Sequence, residues 1–175
     1  DVVREVAIFE KKYNQEIPVV AAGGIYYGEN MYDIMQLGAK GVQVASRFVT
    51  TEECDADVKF KNTYVKAVEN DVEIIQSPVG MPGRALEGKF LENVKLGLTR
   101  PKSCPYNCLH TCDYKVVPYC IILALYNAYK GKMDKGYAFA GSNAYLSARI
   151  STVKEVIHSM ISEFNKRESE TLAGS

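Results

Sequence analysis

The sequence lacks a surplus of either charge. Lys plus Arg number 21 and Asp plus Glu number 21, so the formal net charge is zero. Nucleic acid and anionic membrane surfaces are recognised through concentrated basic faces, and the balance argues against both as the main partner. Also missing is an apolar run of the roughly 20 residues that a membrane span takes. The longest candidate, Pro118 to Tyr129, is about three helical turns and suits a buried helix. Asp1 to Lys12 mix charges of both signs and hold no signal-peptide pattern. Cysteine is sparse and odd in number, with five residues, which is not the density of a disulfide scaffold and favours the cytoplasm. Histidine occurs only as His110 and His158, and there is no internal repeat or low-complexity segment. The first residue is Asp1 rather than Met, so the natural start is expected upstream.

What is present is the composition of an ordinary globular domain, with 47% hydrophobic and 24% charged residues over 175 positions. Periodicity predicts a helix over Val2–Tyr13, with Val3, Val6, Ala7 and Phe9 inward and Arg4, Glu5, Glu10, Lys11 and Lys12 in water. The β-branched run Ile17–Ala22, stopped by Gly23-Gly24, predicts a short buried parallel strand. A helix from Gly28 or Glu29 to Leu37 follows, stopped by Gly38, and then a second short strand over Gly41–Ala45. Helix, strand, helix, strand with short connections is the order of a parallel α/β architecture.

Further helices are expected at about Ala56–Val68, Gly88–Leu96, Pro118–Lys130 and Thr152–Asn165. Proline starts the third of these, and Thr152 with Glu155 has the spacing of a capping box for the last. Glu73–Gln76 reads as a short extended piece, Ser77–Arg84 as a shaped loop with two prolines and two glycines, and Thr99–Lys115 as irregular. Glu168–Ser175 reads as a frayed tail. The expected organisation is α/β units over 1–70, a loop-rich cysteine segment over 71–115, a helical segment over 116–167 and a tail over 168–175.

The two short strands carry the most chemistry. Each ends in small residues, Ala21-Ala22-Gly23-Gly24 after the first and Ala45-Ser46 after the second. Small residues let a ligand approach the backbone closely. Amides at such turns, helped by the N-terminus of the following helix, can hold an anion, and Ser46 adds a hydroxyl donor. In a (β/α)₈ barrel the loops after strands 7 and 8 frequently build a phosphate site. Each turn alone also reads as nothing more than a tight connection.

Ile17-Pro18-Val19-Val20-Ala21-Ala22-Gly23-Gly24-Ile25, followed by Leu37-Gly38-Ala39-Lys40-Gly41-Val42-Gln43-Val44-Ala45-Ser46-Arg47-Phe48, resembles the nitronate monooxygenase (2-nitropropane dioxygenase) family and the related flavin-type enoyl-acyl carrier protein reductases. The resemblance implies the C-terminal part of a (β/α)₈ TIM barrel, strands 7 and 8 with their helices, plus a helical C-terminal extension. It continues through the Gly80-Met81-Pro82-Gly83-Arg84 loop, like that of the longer clostridial-type members, and through Tyr137–Leu146, which resembles a late motif beside the flavin. This chain has Ala45-Ser46 where the family usually has Gly-Thr, and Ser142-Asn143 where many members have Gln-Gly, so a role for that Gln side chain does not transfer.

By carry-over, FMN would be held by Ala22, Gly23, Gly24, Gln43, Ala45, Ser46, Gly141 and Ser142. Gln43 either lines the barrel mouth or packs as a polar core residue. The family's catalytic histidine comes from an earlier strand, and neither His110 nor His158 matches it, so no catalytic residue is assigned.

The implied activity is an FMN-dependent oxidoreductase that oxidises alkyl nitronates with O₂. Two alternatives stand beside it: an enoyl-acyl carrier protein reductase using NAD(P)H, and an inactive half-barrel lacking a complete site. Expected partners are a small-molecule substrate, with NAD(P)H under the first alternative, and either the remainder of the barrel or a second copy of the chain.

Other residues remain open. Cys104, Cys108 and Cys112 repeat every four residues, with Cys120 beyond. The spacing matches neither a standard zinc pattern nor the familiar iron–sulfur spacings, so ordinary thiols lead over metal or disulfide chemistry and no metal site is assigned. Cys54 reads as a surface thiol or a residue near substrate. Arg84 reads as an anion binder or an ion-pair partner. Tyr26, Tyr27 and Tyr32 read as packing or as the edge of a substrate pocket.

Overall fold

The structure, a computed structural model, describes residues 1–110 and 112–174. Helix α1 (Val2–Tyr13) ends on Asn14, whose left-handed backbone (φ 49°) forms its C-cap. Val3 and Val6 are half-buried, and Val3 lies against Gly38, where an added Cβ would come within 3.0 Å of its Cγ1. Ala7 and Phe9, expected inward, are exposed, because no other described element of the chain covers that face.

Strand β1 (Val20–Ala22), helix α2 (Gly28–Gln36) and strand β2 (Gly41–Gln43) form a parallel β-α-β unit with the register Val20↔Gly41, Ala21↔Val42 and Ala22↔Gln43. Both strands are shorter than the apolar runs that predict them. Pro18 has no N–H to contribute to a ladder, and each strand has a single neighbour.

After β2 the chain makes one turn of helix, α3 (Ser46–Val49), and then α4 (Val58–Lys66). Asp57 caps α4 by accepting from the Lys59 amide at 2.8 Å, which starts the helix two residues later than expected. Lys61 on α4 is buried, and its ammonium donates to the carbonyls of Thr51 at 2.7 Å and Glu52 at 3.3 Å.

The segment expected as a loop over Ser77–Arg84 is in part a strand. Strand β3 (Val72–Gln76) pairs antiparallel with β4 (Pro82–Leu86), from Val72↔Leu86 to Gln76↔Pro82, and only Ser77–Met81 turns. Pro82 is tolerated because it is the first residue of its strand.

Ala85 and Ile75 of this hairpin join Phe90 and Leu91 of α5 (Lys89–Lys95), Ala124 of α6 (Ile121–Tyr129), Tyr119 and Tyr137 in one core. Helix α6 starts at Ile121 with Cys120 as N-cap, so Pro118 lies outside it rather than in its first turn. Gly136 presses on α6 so closely that a Cβ there would stand 2.0 Å from the Ala124 carbonyl oxygen.

The next segment positions the site. Tyr137–Ala140 runs along β4, with the Leu86 amide donating to the Ala138 carbonyl at 3.0 Å and the Ala140 amide donating to the Arg84 carbonyl at 2.9 Å. It delivers Gly141–Asn143 to the end of the parallel strands.

Helix α7 (Val153–Ala173) opens with the expected capping box between Thr152 and Glu155. It does not stop at Asn165 or fray at Glu168. The ion pairs Lys166–Glu170 and Arg167–Asp33, the latter reaching α2 at 3.1 Å, accompany its continuation to Ala173. Ser175, the last residue of the expected tail, lies outside the described residues. α7 packs on α2, with Tyr32 edge-to-face on Phe164 at 5.3 Å. No helix among the described residues is long and apolar enough to cross a membrane.

Candidate functional site

The register of the parallel pair places Ala22 beside Gln43, so the turns that follow, Gly23-Gly24 and Ala45-Ser46, leave the same end of the unit. Gly23 (φ 89°) and Gly24 (φ 70°) both adopt the left-handed backbone that favours glycine. An added Cβ on Gly23 would meet nothing within 4 Å, and one on Gly24 would meet only Ser142 Oγ, at 3.9 Å. Ala22, Gly23, Gly24, Gln43 and Ala45 are exposed and Ser46 is half-buried. Gln43 is therefore not a packed core residue within this chain.

A third loop closes on these two turns. Ser46 Oγ accepts from the Gly141 amide at 2.8 Å, which leaves its own proton free to donate. Asn143 Nδ2 donates to the Gly24 carbonyl at 2.8 Å. Gly24, Ser46, Gly141 and Ser142, far apart in sequence, thus share one small region.

Among the described residues the amides of Gly23, Gly24, Ala45 and Ser46 donate to no backbone or side-chain acceptor. Free, adjacent and open N–H groups beside a hydroxyl are the donor set that a phosphoryl group accepts from. The residues present therefore fit the phosphate end of a flavin mononucleotide.

The N-terminus of α2 does not add to this set, contrary to expectation. The Gly28 amide already donates to Glu163 Oε2 at 2.6 Å, and the Tyr26 and Tyr27 amides donate to Asn30 Oδ1 at 3.2 and 2.9 Å. The Glu163 carboxylate occupies the positive end of that helix.

Arg47, adjacent to Ser46, has no role in the sequence reading, and the structure makes it the brace behind the site. Its guanidinium donates to the Tyr26 carbonyl at 2.7 Å and to Ser159 Oγ at 2.9 Å, pairs with Glu163 at 3.6 Å, and lies over the Tyr26 and Tyr27 rings. Burial alone would push the Glu163 carboxyl up. The hydrogen bonds from Ser159 and the Gly28 amide, with the Arg47 charge, outweigh burial and hold it below its ordinary value. Asn143 is the second residue missed; only its place beside Gly141-Ser142 marked it.

The remaining candidates separate. Tyr26 and Tyr32 are buried packing residues, Tyr26 bonding Ser147 through its hydroxyl at 3.1 Å, while Tyr27 is exposed. Arg84 is exposed on β4 and makes no ion pair among the described residues. His110 and His158 are both exposed, His158 on α7, and Cys54 is half-buried in the turn before α4. A cavity of about 480 Å³ lies between α6 and the 98–106 segment and is lined by none of the candidate flavin residues.

Over 78 residues the chain is 37% identical to a probable nitronate monooxygenase of Staphylococcus saprophyticus and 32% identical to one of Staphylococcus aureus; each alignment covers 45% of this chain and 22% of the relative. FabK from Thermotoga maritima superposes with a TM-score of 0.71 at 29% identity, over 93% of this chain and 48% of that one. A nitroalkane oxidase from Streptomyces ansochromogenes shares the fold, with a TM-score of 0.66 at 22% identity, over 91% and 43%. The chain thus spans less than half the length of these relatives. The family model for nitronate monooxygenase matches residues 3–163, nearly all of the sequence, so the chain belongs to the nitronate monooxygenase family.

Proposed function

We propose that this chain forms strands 7 and 8, with their helices, of a (β/α)₈ barrel flavoenzyme that oxidises alkyl nitronates with O₂. One observation carries the reading: two parallel strands end side by side in open turns with free amides, Gly23-Gly24 and Ala45-Ser46, and the Gly141–Asn143 loop ties the turns together through the Ser46 hydroxyl and the Gly24 carbonyl.

In this assignment the amides of Gly23, Gly24, Ala45 and Ser46 and the Ser46 hydroxyl bind the FMN phosphate. Ala22, Gln43, Gly141 and Ser142 line the adjoining wall. Asn143 holds the Gly-Gly turn in place, and Arg47 with Glu163 fixes the backbone behind it. FMN, when bound, supplies the electron-accepting chemistry. A general base for the substrate carbon is assigned to the part of the protein beyond this chain, since both histidines here lie outside the site. That remaining part would also cover the free edges of β1 and β2 and the open face of α1.

The test is flavin retention and turnover by the whole protein. The expected result is stoichiometric FMN and O₂ uptake that depends on an alkyl nitronate, with Ser46→Ala weakening FMN binding about 10-fold, the size of one charge-assisted hydrogen bond. A colourless protein would sink the flavoenzyme assignment. NAD(P)H-dependent reduction of a crotonyl thioester in place of nitronate oxidation would replace the substrate assignment.

A further inference from the structure

We propose that the cavity between α6 and the 98–106 segment binds a phosphate monoester with an apolar body, at a site separate from the flavin site. The cavity measures about 480 Å³, within the range of ordinary small-molecule sites. None of the residues assigned to the flavin lines it.

Two unlike walls form it. Helix α6 supplies Leu123, Ala124 and Asn127, which share a helix face at three- and four-residue spacing. The facing wall has no helix or strand. At the end of α5 the Leu98 amide folds back to donate to the Asn93 carbonyl at 2.9 Å, and the chain then leaves as residues 99–106. Pro101 and Pro105 have no N–H to give, and among the described residues no amide from 99 to 106 donates to a backbone or side-chain acceptor. This wall keeps its donors out of the protein's own hydrogen-bond network.

The lining is apolar below and cationic above. Phe90, Tyr119 and Ala124 are buried in the core and form a floor. Leu98, Tyr106 and Leu123 line the same cavity yet stand exposed, which is the surface an apolar ligand body covers. Arg100, Lys102 and Lys135 line the cavity against one acid, Asp134, an excess of two positive charges in a chain whose net charge is zero. None of these three cations pairs with a carboxylate among the described residues. Thr99, also in the lining, has a buried hydroxyl oxygen with no hydrogen-bond partner. A buried hydroxyl left unsatisfied costs free energy until a partner arrives.

The charge selects the head group. A phosphate monoester carries roughly two negative charges near neutral pH and three acceptor oxygens. It matches the cationic excess and offers an oxygen to the Arg100 fork, to each ammonium and to the Thr99 hydroxyl. A carboxylate has one charge and two oxygens, and leaves a cation unanswered. A chain of phosphates would exceed the positive charge and meet Asp134 as a like charge. Because Arg100, Lys102 and Lys135 are exposed, salt weakens the attraction.

Calorimetric titration of the whole protein with naphthyl phosphate, naphthol and inorganic phosphate, with and without excess FMN, tests this site. One equivalent of naphthyl phosphate per chain is expected in excess FMN, bound about 10-fold or more tighter than either half and more weakly as salt rises. Arg100→Gln and Lys102→Gln should each weaken it about 10-fold. Leu123→Glu, which puts a carboxylate in the cavity, should abolish it. Flavin content should be unchanged in all three variants. Naphthol binding as tightly as the ester would overturn the proposal and leave only an apolar surface. Inorganic phosphate binding as tightly, full affinity in both cation variants, or binding that vanishes when FMN is in excess would overturn it too. If Leu123→Glu fails to fold, the exposed cation variants and the salt dependence still decide. Flavin retention is read on the same samples, so failure at this site and failure of the flavin assignment are told apart.

Discussion

Gly24 has the most constrained backbone duty at the site. It holds φ at 70°, offers its amide to the opening and gives its carbonyl to Asn143. A side chain there has room, since only Ser142 Oγ comes within 4 Å of an added Cβ, so backbone strain dominates any steric cost. Gly24→Ala is expected to cost about 1–2 kcal/mol of stability and to lower FMN affinity, read by chemical unfolding and flavin titration; an unchanged affinity would mean that this turn does not touch the cofactor.

Glu163 gives a pH prediction. Its folded carboxyl titrates below the ordinary 4.5, so its contribution is present above that pH and is lost as pH falls through the lower, folded value. The urea midpoint of the protein should therefore drop as pH falls below 4.5, and Glu163→Gln should shrink that drop without removing it. Glu155, lowered chiefly by the Thr152 amide, loses its contribution over the same range. An acid limb identical in the variant would show that Glu163 is not held low.

At the scale of elements, the α2–α7 contact holds the frame of the site. Gly28, the first residue of α2, touches the α7 backbone, where a Cβ would stand 1.9 Å from the Met160 carbonyl oxygen and 2.7 Å from the Phe164 amide. Neither neighbour is a side chain that can swing away. Gly28→Ala must therefore push the two helices apart, and it strains the Gly28–Glu163 hydrogen bond with them. The expected loss is at least the 1–3 kcal/mol or so typical of an overpacked core, read as a lowered thermal midpoint together with weaker flavin binding, because Arg47 spans the same helices.

At the scale of the molecule, α1 and β1 leave large apolar residues exposed. Val2, Ile8, Phe9 and Tyr13 of α1 are open, as is Val20 of β1, and both parallel strands have a free edge. This chain by itself is expected to associate with rising concentration. Sedimentation should show that association, and Phe9→Glu should weaken it. Under the proposed barrel assignment, the same measurement on a chain that carries the other barrel strands should give a discrete species. A monodisperse, monomeric 175-residue chain would count against the missing-neighbour account.

Some of this was decided by short-range chemistry and so was readable in the residues alone. The β-α-β order follows from apolar runs ended by glycine, and the start of α7 follows from Thr152 and Glu155 three positions apart. Gly23-Gly24 and Ala45-Ser46 announced themselves because an open turn after a strand needs small residues. Features that depend on distant partners were not readable. Pro82 and Gly83 argue for a loop, yet pairing with Gln76 and Ile75 makes them a strand. Arg47 gains its role only from Ser159 and Glu163, more than a hundred positions away. The docking of Gly141 on Ser46 required the chain to fold back on itself. Local sequence sets which backbone shapes are cheap; only packing in three dimensions chooses which of them are brought together.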